Sequence, residues 1–396
     1  MTDLLTGVRV LDLTNVLAGP FCCSQLAYFG AEVIKIEPPG RGDLARQLGA
    51  DTDLNSKDMG ASFLAQNAGK KSVSINLKDT RGKNLFFQLV ATADVVVENF
   101  RPGVMKRLGL TWESLKTKNN KLIYCAISGF GQNSPWSNKP AYDQIVQGLS
   151  GLMSINGAAG QAPLRVGYPL ADTISGLTAA FAICAALNKK EASYIDVSML
   201  ESLLVTMGWV ISNWLIAGEK PTPQGNENPT SAPSGTFQAQ DAKINIAANK
   251  EEQWRILANY IGRDDLLEDV KYLTREDRKK NRSALNIEIE SAISMFRASD
   301  LAEALTLRGV PAGVVMEVPD ILKHPVIADS GFLTEFENVP GIGRNLKTVS
   351  TGVKINNKAP FTKTPPPELG QDNSKVFGEL GIDLSALNEL KRSGVI

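Results

Sequence analysis

The sequence predicts an α/β protein in which a large domain, built on a parallel sheet, is joined to a smaller α+β domain. Three observations lead there. The 396 residues exceed what one hydrophobic core usually serves, so two domains are expected. Across residues 7–127, short β-rich runs alternate with helix-like segments, the pattern of parallel strands linked by helical crossovers. Residues 218–235, GEKPTPQGNENPTSAPSG, are dense in Pro, Gly, Asn and Ser, and a differently patterned region follows them.

Taken in order, VRVLDL, EVIKIE, SVSINL, DVVVEN and LIYCAI read as strands, with helices at residues 20–28 and 81–91 between some of them. Open parallel sheets hold ligands beyond the carboxyl ends of their strands, which singles out loops 15–20, 37–43, 99–103 and 128–132. Residues 171–187 read as a helix that is apolar nearly all round, expected to be buried on most faces. The strand YIDVSM and one long apolar helix over 200–217 complete the first part of the large domain, residues 1–217. Residues 218–235 read as a linker or mobile loop. The small domain, 236–325, contains a hairpin in TFQAQDAKINIAA and amphipathic helices at 251–261, 283–296 and 300–308. PAGVVMEV is expected to lead the chain back. Residues 326–396 then rejoin the large domain, with β-like segments over 331–355 and a terminal helix after KTPPPELGQ.

Composition excludes several function classes. Lys plus Arg total 42 and Asp plus Glu total 42, so no net field draws the chain to nucleic acid or an anionic membrane, and neither is expected as a partner. The N-terminus lacks a secretory pattern, and the most apolar run, residues 177–187, is too short to span a bilayer. Cys22, Cys23, Cys125 and Cys184 show no CxxC and no regular spacing, which fits reduced thiols and a cytoplasmic location better than disulfides or zinc. The single histidine, His324, reads as a surface or capping residue, which leaves metal sites and Ser-His-Asp relays without their imidazoles. No GxGxxG follows the first strand, so a nicotinamide oxidoreductase is disfavoured. No metal and no tightly bound cofactor is expected.

Asp172 falls at the start of a helix after Pro169, where the helix dipole favours an ionised carboxylate able to attack an activated acyl group. The same position suits an N-cap with no further role. Asp143, in PAYDQIVQ, reads as a cap or a substrate-orienting group, and Glu201 as a paired or solvent-facing carboxylate. Arg41, Lys70, Lys71, Lys78, Arg81, Lys83, Arg101, Lys106 and Arg107 cluster in the first third, as a phosphate-binding set or a solvated face.

The stretch GVRVLDLTNVLAGPFCCSQLAYFGAEVIKIEPPGRGD resembles the N-terminal signature of family III CoA transferases. The resemblance continues through NAGKKSVSINLK, ADVVVENFRPGVMKRLGL, SGFGQNSPWSNKPAYDQIVQGLSGLM and GYPLADTISG to TPPPELGQ, covering most of the chain. It implies a Rossmann-like large domain, a smaller α+β domain and an interlocked homodimer. It also implies that Asp172 is the nucleophile, and that CoA contacts fall at Val16, Leu17, Ala18, Ile75, Asn76, Leu77, Lys78, Asn99, Phe100, Arg101, Arg107, Pro140, Ala141 and Tyr142. The implied reaction moves CoA, bound as substrate, from a short acyl-CoA to a small mono- or dicarboxylic acid through aspartyl anhydride and aspartyl-CoA thioester intermediates. Arg165, or an arginine of the small domain, is a candidate partner for a second substrate carboxylate.

Two departures bear on this. GNENPTSAPSG lacks the Gly-Gly run some members carry over the active site. Tyr142 stands where the related α-methylacyl-CoA racemases place a histidine base, which weakens the racemase alternative. A non-catalytic acyl-CoA-binding protein, with Asp172 only a cap, is the other alternative.

Overall fold

A computed structural model describes residues 3–189 and 191–396. Contacts divide the chain into two units. The first comprises Met1–Leu152, Val166–Gly218 and Pro325–Ile396, and the second Met153–Arg165 and Glu219–His324. Residues 153–165, expected in the large domain, thus belong with the second unit.

The first unit is built on a six-stranded sheet. Its strands are β1 (Arg9–Asp12), β2 (Glu32–Glu37), β3 (Lys71–Ser74), β4 (Val95–Glu98), β5 (Ile123–Ser128) and β6 (Ser193–Ser198). They run in the order β3-β2-β1-β4-β5-β6, every pairing parallel. The central runs are apolar without alternation because both faces are covered. Leu11, Val96, Tyr124 and Ala126 face one core with Phe86, Leu89 and Phe377. Val10, Val95, Val97, Ile123, Cys125 and Ile127 face the other. Strand order reverses between β1 and β4, which opens a crevice between the loops that follow them.

Three helices on the second face position what lies at that crevice: α1 (Ala18–Tyr28), α2 (Asp143–Leu149) and α3 (Leu170–Lys189). A Cβ on Gly176 of α3 would sit 2.6 Å from the Ala18 carbonyl oxygen, so glycine lets α3 lie directly on the start of α1. The expectation that this helix is buried on most faces is corrected. Only a stripe, Ala171, Ser175, Gly176, Ala179, Ala180 and Ile183, is buried, while Phe181 and Cys184 are exposed. At 20 residues α3 is also longer than its most apolar run and would be long and apolar enough to cross a bilayer, although its buried stripe packs on α1. The single helix expected over 200–217 is two, α4 (Met199–Thr206) and α5 (Gly208–Ala217), bent by 78°. The segment after KTPPPELGQ likewise forms two short helices, Asn373–Gly378 and Leu384–Arg392.

In the second unit, β7 (Ser234–Gln238), β8 (Lys243–Ala247) and β9 (Ala312–Val314) form an antiparallel sheet backed by Glu251–Tyr260, Arg282–Ile293 and Ala298–Leu307. PAGVVMEV therefore does not lead out of this unit but adds its third strand. The expected mobile linker is tied down as well: Arg282 Nη2 donates to the carbonyls of Asn228 (2.7 Å) and Ser231 (2.9 Å).

Candidate active site

The loop after β1 is shaped by buried charge. Asp12 accepts from Thr14 N (2.9 Å) and pairs with Lys70 (2.9 Å), whose ammonium also donates to the Pro20 carbonyl (3.0 Å). Lys35 pairs with Asp43 (2.8 Å) and donates to the Thr14 carbonyl (2.8 Å). Asp43 in turn accepts from Val16 N (2.9 Å), holding this β-branched residue at φ 67°, a strained left-handed conformation. Arg46 grips Glu37 through two nitrogens, at 2.7 and 2.8 Å. Burial opposes ionisation of Asp12, but Lys35 and Lys70 outweigh it and bring the carboxyl down to about 2. None of these pairings was legible in the sequence, since the partners lie up to 58 residues apart and meet only across three strands.

The loop after β4 is clamped to the same segment. The Asn99 amide accepts from Asn15 N (2.8 Å) and donates to Asn15 O (2.9 Å). Val16, Leu17, Ala18, Asn99, Phe100, Arg101, Ala141, Tyr142 and Asp172 thereby line one cavity of about 170 Å³, together with Ser128, Gly129, Lys139 and Met199. Ile75, Asn76, Leu77 and Lys78 line a neighbouring cavity of about 470 Å³ with Arg41, Val104 and Leu108, and Asn15 and Phe100 border both. Two expected contacts lie outside these linings: Arg107 is exposed on the helix Val104–Leu108, and Pro140 is exposed between Lys139 and Ala141.

Asp172 stands in the first turn of α3 and is positioned by α2. Asp143, at the start of α2, accepts from Ala171 N (2.7 Å) and from Gln147 Nε2 (2.7 Å). Gln147, one turn on, accepts from Val166 N (2.9 Å) and donates to the Tyr168 carbonyl (3.2 Å), so α2 holds the chain entering α3. Asp143 is thus a cap, but for a helix 28 residues further along. Asp172 itself is not capping: its carboxylate has no hydrogen-bond partner among the described residues. Burial first, then the nearby Asp143 carboxylate, push it up to about 7, against the expected dipole-favoured anion. Such a group is half-ionised near neutrality and has nothing to do in the fold.

Glu201 is exposed, its backbone N–H bound by Ser198 Oγ (3.2 Å). Arg165 belongs to the second unit. Among the described residues no group of three His, Cys, Asp or Glu side chains could hold a metal ion.

Residues 5–373 match CoA-transferase family III. An acetyl-CoA:oxalate CoA-transferase of Acetobacter aceti is 37% identical over 86% of this chain and 88% of its own length. A succinate–glutarate CoA-transferase of Agrobacterium fabrum is 34% identical over 96% of this chain and 98% of its own. The crystal structure of a CAIB/BAIF family protein from Brucella suis superposes with a TM-score of 0.84 at 30% identity, covering 96% of this chain and 100% of that one. With a parallel sheet whose crevice carries two adjoining cavities and an unpaired aspartate, and with relatives matched nearly end to end, this chain belongs to CoA-transferase family III.

Proposed function

We propose that this CoA-transferase moves CoA from a short acyl-CoA thioester to a small carboxylic acid, with Asp172 as nucleophile. The observation that carries the reading is the Asp172 carboxylate, unpartnered and facing the cavity that the loops after β1 and β4 enclose. Its oxygen attacks the thioester carbonyl, and collapse of the adduct expels CoA thiolate and leaves an aspartyl anhydride. The thiolate attacks the aspartyl carbonyl, releasing the donor acid and forming an aspartyl-CoA thioester. An incoming carboxylate reverses both steps. Acyl activation is conserved throughout, so no external energy source enters.

The larger cavity suits the nucleotide end of CoA. Leu77, Phe100 and Leu108 offer an apolar wall for a purine, and Arg41 and Lys78 offer charge for phosphates. The smaller one has room only for the thioester and a short acyl group. The named activities of the matched relatives favour a dicarboxylic acceptor such as oxalate, succinate or glutarate.

An interlocked homodimer, which the family resemblance implies, is part of this proposal. The first unit leaves Phe181 78%, Trp209 74% and Ile216 86% exposed on α3 and α5, more apolar side chain than a monomer usually presents to water. Light scattering that returns a dimer, and a monomer for Trp209→Asp, supports it; a wild-type monomer at micromolar concentration removes it.

The nucleophile is tested by incubating the protein with succinyl-CoA, quenching, and mapping peptides by mass spectrometry. A CoA adduct on the Asp172 peptide, lost in Asp172→Ala, supports the covalent path, and an acceptor-acid screen then identifies the second substrate. No adduct across a panel of donors, with CoA still bound, overturns it.

A further inference from the structure

Besides Asp172, its cavity contains a buried polar group that the fold does not use. Ser128 is the last residue of β5, at the carboxyl end of the strand, and is only 6% exposed. Its Oγ is fully enclosed and has no hydrogen-bond partner among the described residues. The serine beside it in register, Ser198 at the end of β6, is occupied: it caps α4 by accepting from Glu201 N (3.2 Å). Three other polar side chains of the lining are committed or exposed. The Asn99 amide is spent on both backbone groups of Asn15, the Lys139 ammonium sits 4.1 Å over the Trp136 ring, and Tyr142 is largely in solvent.

A buried hydroxyl without a partner costs folding free energy that an alanine would not, and buried polar groups in native proteins almost always find partners. An unmet hydroxyl in the lining of a reaction cavity therefore points to a partner that arrives with the substrate. We propose that Ser128 donates its hydroxyl hydrogen bond to the oxyanion formed when Asp172 attacks the acyl-CoA carbonyl, a proposal that rests on Asp172 being the nucleophile. In that step the Asp172 oxygen forms a bond to the carbonyl carbon and the π pair moves onto the carbonyl oxygen. Ser128 O–H donates to that oxygen and keeps its proton. When the pair returns, the C–S bond breaks and CoA leaves as thiolate. A donor buried in the cavity wall strengthens as charge develops on the oxygen, so its contribution falls on the transition state rather than on the bound thioester.

The prediction separates from a structural role. Ser128→Ala, in the full-length protein, lowers kcat for succinyl-CoA-dependent transfer by on the order of 10²-fold with the KM for succinyl-CoA little changed. Its melting temperature stays at or above the wild-type value, because the substitution removes an unsatisfied group. Ser128→Thr, which keeps the hydroxyl and suits a strand, recovers most of the rate. Quenched-flow mass spectrometry of the Asp172 peptide provides the second readout. Slower adduct formation in Ser128→Ala than in wild type, restored in Ser128→Thr, supports the proposal. Adduct formation in Ser128→Ala at the wild-type rate overturns it and leaves the nucleophile standing. So does a threonine variant as slow as the alanine one in a protein that melts normally. Wild-type protein that forms no adduct with any donor overturns the Asp172 reading, and Ser128 with it.

Discussion

The two halves of the six-stranded sheet treat buried carboxylates in opposite ways. Along β1 and β2, Asp12, Glu37 and Asp43 are each paired with a buried cation and held below their ordinary range, Asp12 at about 2. Beyond β4, Glu98 and Asp172 have no cation against them and are pushed up to about 7, in both cases by burial first. Burial is common to both halves. The difference is the presence of a lysine or arginine, and it separates charges that hold the loop after β1 from groups left free to change charge. Asp172 and Glu98 differ in turn. Glu98 accepts from Phe100 N (2.8 Å) and Tyr124 Oη (3.2 Å) and lies outside the lining of the Asp172 cavity, whereas Asp172 accepts nothing.

The sharpest way to break the comparison is to remove the unpaired group. Asp172→Asn is expected to lower kcat by on the order of 10⁴-fold or more, since no other carboxylate lines the cavity. The same variant should be more stable than wild type at pH 8. The folded carboxyl is raised from 3.8 to about 7, so wild-type stability falls as pH rises across that window and the variant is spared the loss. Urea melts at pH 3.5 and pH 8 check the sign: the gap between the two proteins should be near zero at the lower pH and about 4 kcal/mol or less at the higher. A gap that shrinks with rising pH would place Asp172 among the paired carboxylates.

On the other half the order of effects inverts, with stability lost first. Lys70→Met leaves Asp12 buried without its closest cation and should destabilise the fold by about 3–5 kcal/mol, read as a lower urea midpoint. Lowering pH from 3.8 through about 2 on wild type should remove about 2.5 kcal/mol, because Asp12 gives its stability above its unfolded value and loses it on protonation.

Asp143→Asn tests the second cause of the Asp172 shift. The amide oxygen can still accept from Ala171 N, at the expense of the Gln147 contact, a loss of about 1 kcal/mol. With the charge gone Asp172 ionises more readily, so the acidic limb of the kcat–pH profile, near pH 7 in wild type, should move to lower pH. An unmoved limb would mean that burial alone sets the value. The smallest effect is expected for Glu98→Gln: transfer within about twofold of wild type. Its stability should gain on wild type as pH rises from 4.5 through about 7, by the same sign argument.

Much of the frame was legible. The runs that became β1, β2, β4 and β5 stood out because strands covered on both faces are short, largely apolar and bounded by loop residues, and EVIKIE coincides with β2 residue for residue. The family motifs pointed to Asp172, and nine of the expected site residues meet in its cavity. The misses share a cause. A helix that is apolar all round was expected to be buried all round, but the first unit covers only one stripe of α3. No proline or glycine pattern ahead of Gly208 marks the bend at Met207 in the local sequence.

By itself, then, the sequence determined the α/β class, the family and the loops that line the Asp172 cavity, because hydrophobic period and local motif are written along the chain. Only the tertiary structure decided which carboxylates are paired and which are not. Lys70 reaches Asp12 across 58 residues and Asp143 reaches the start of α3 across 28, while Ser128 Oγ meets no partner among the described residues. Charge state depends on burial and on neighbours in space, and neither is a property of any one stretch of sequence.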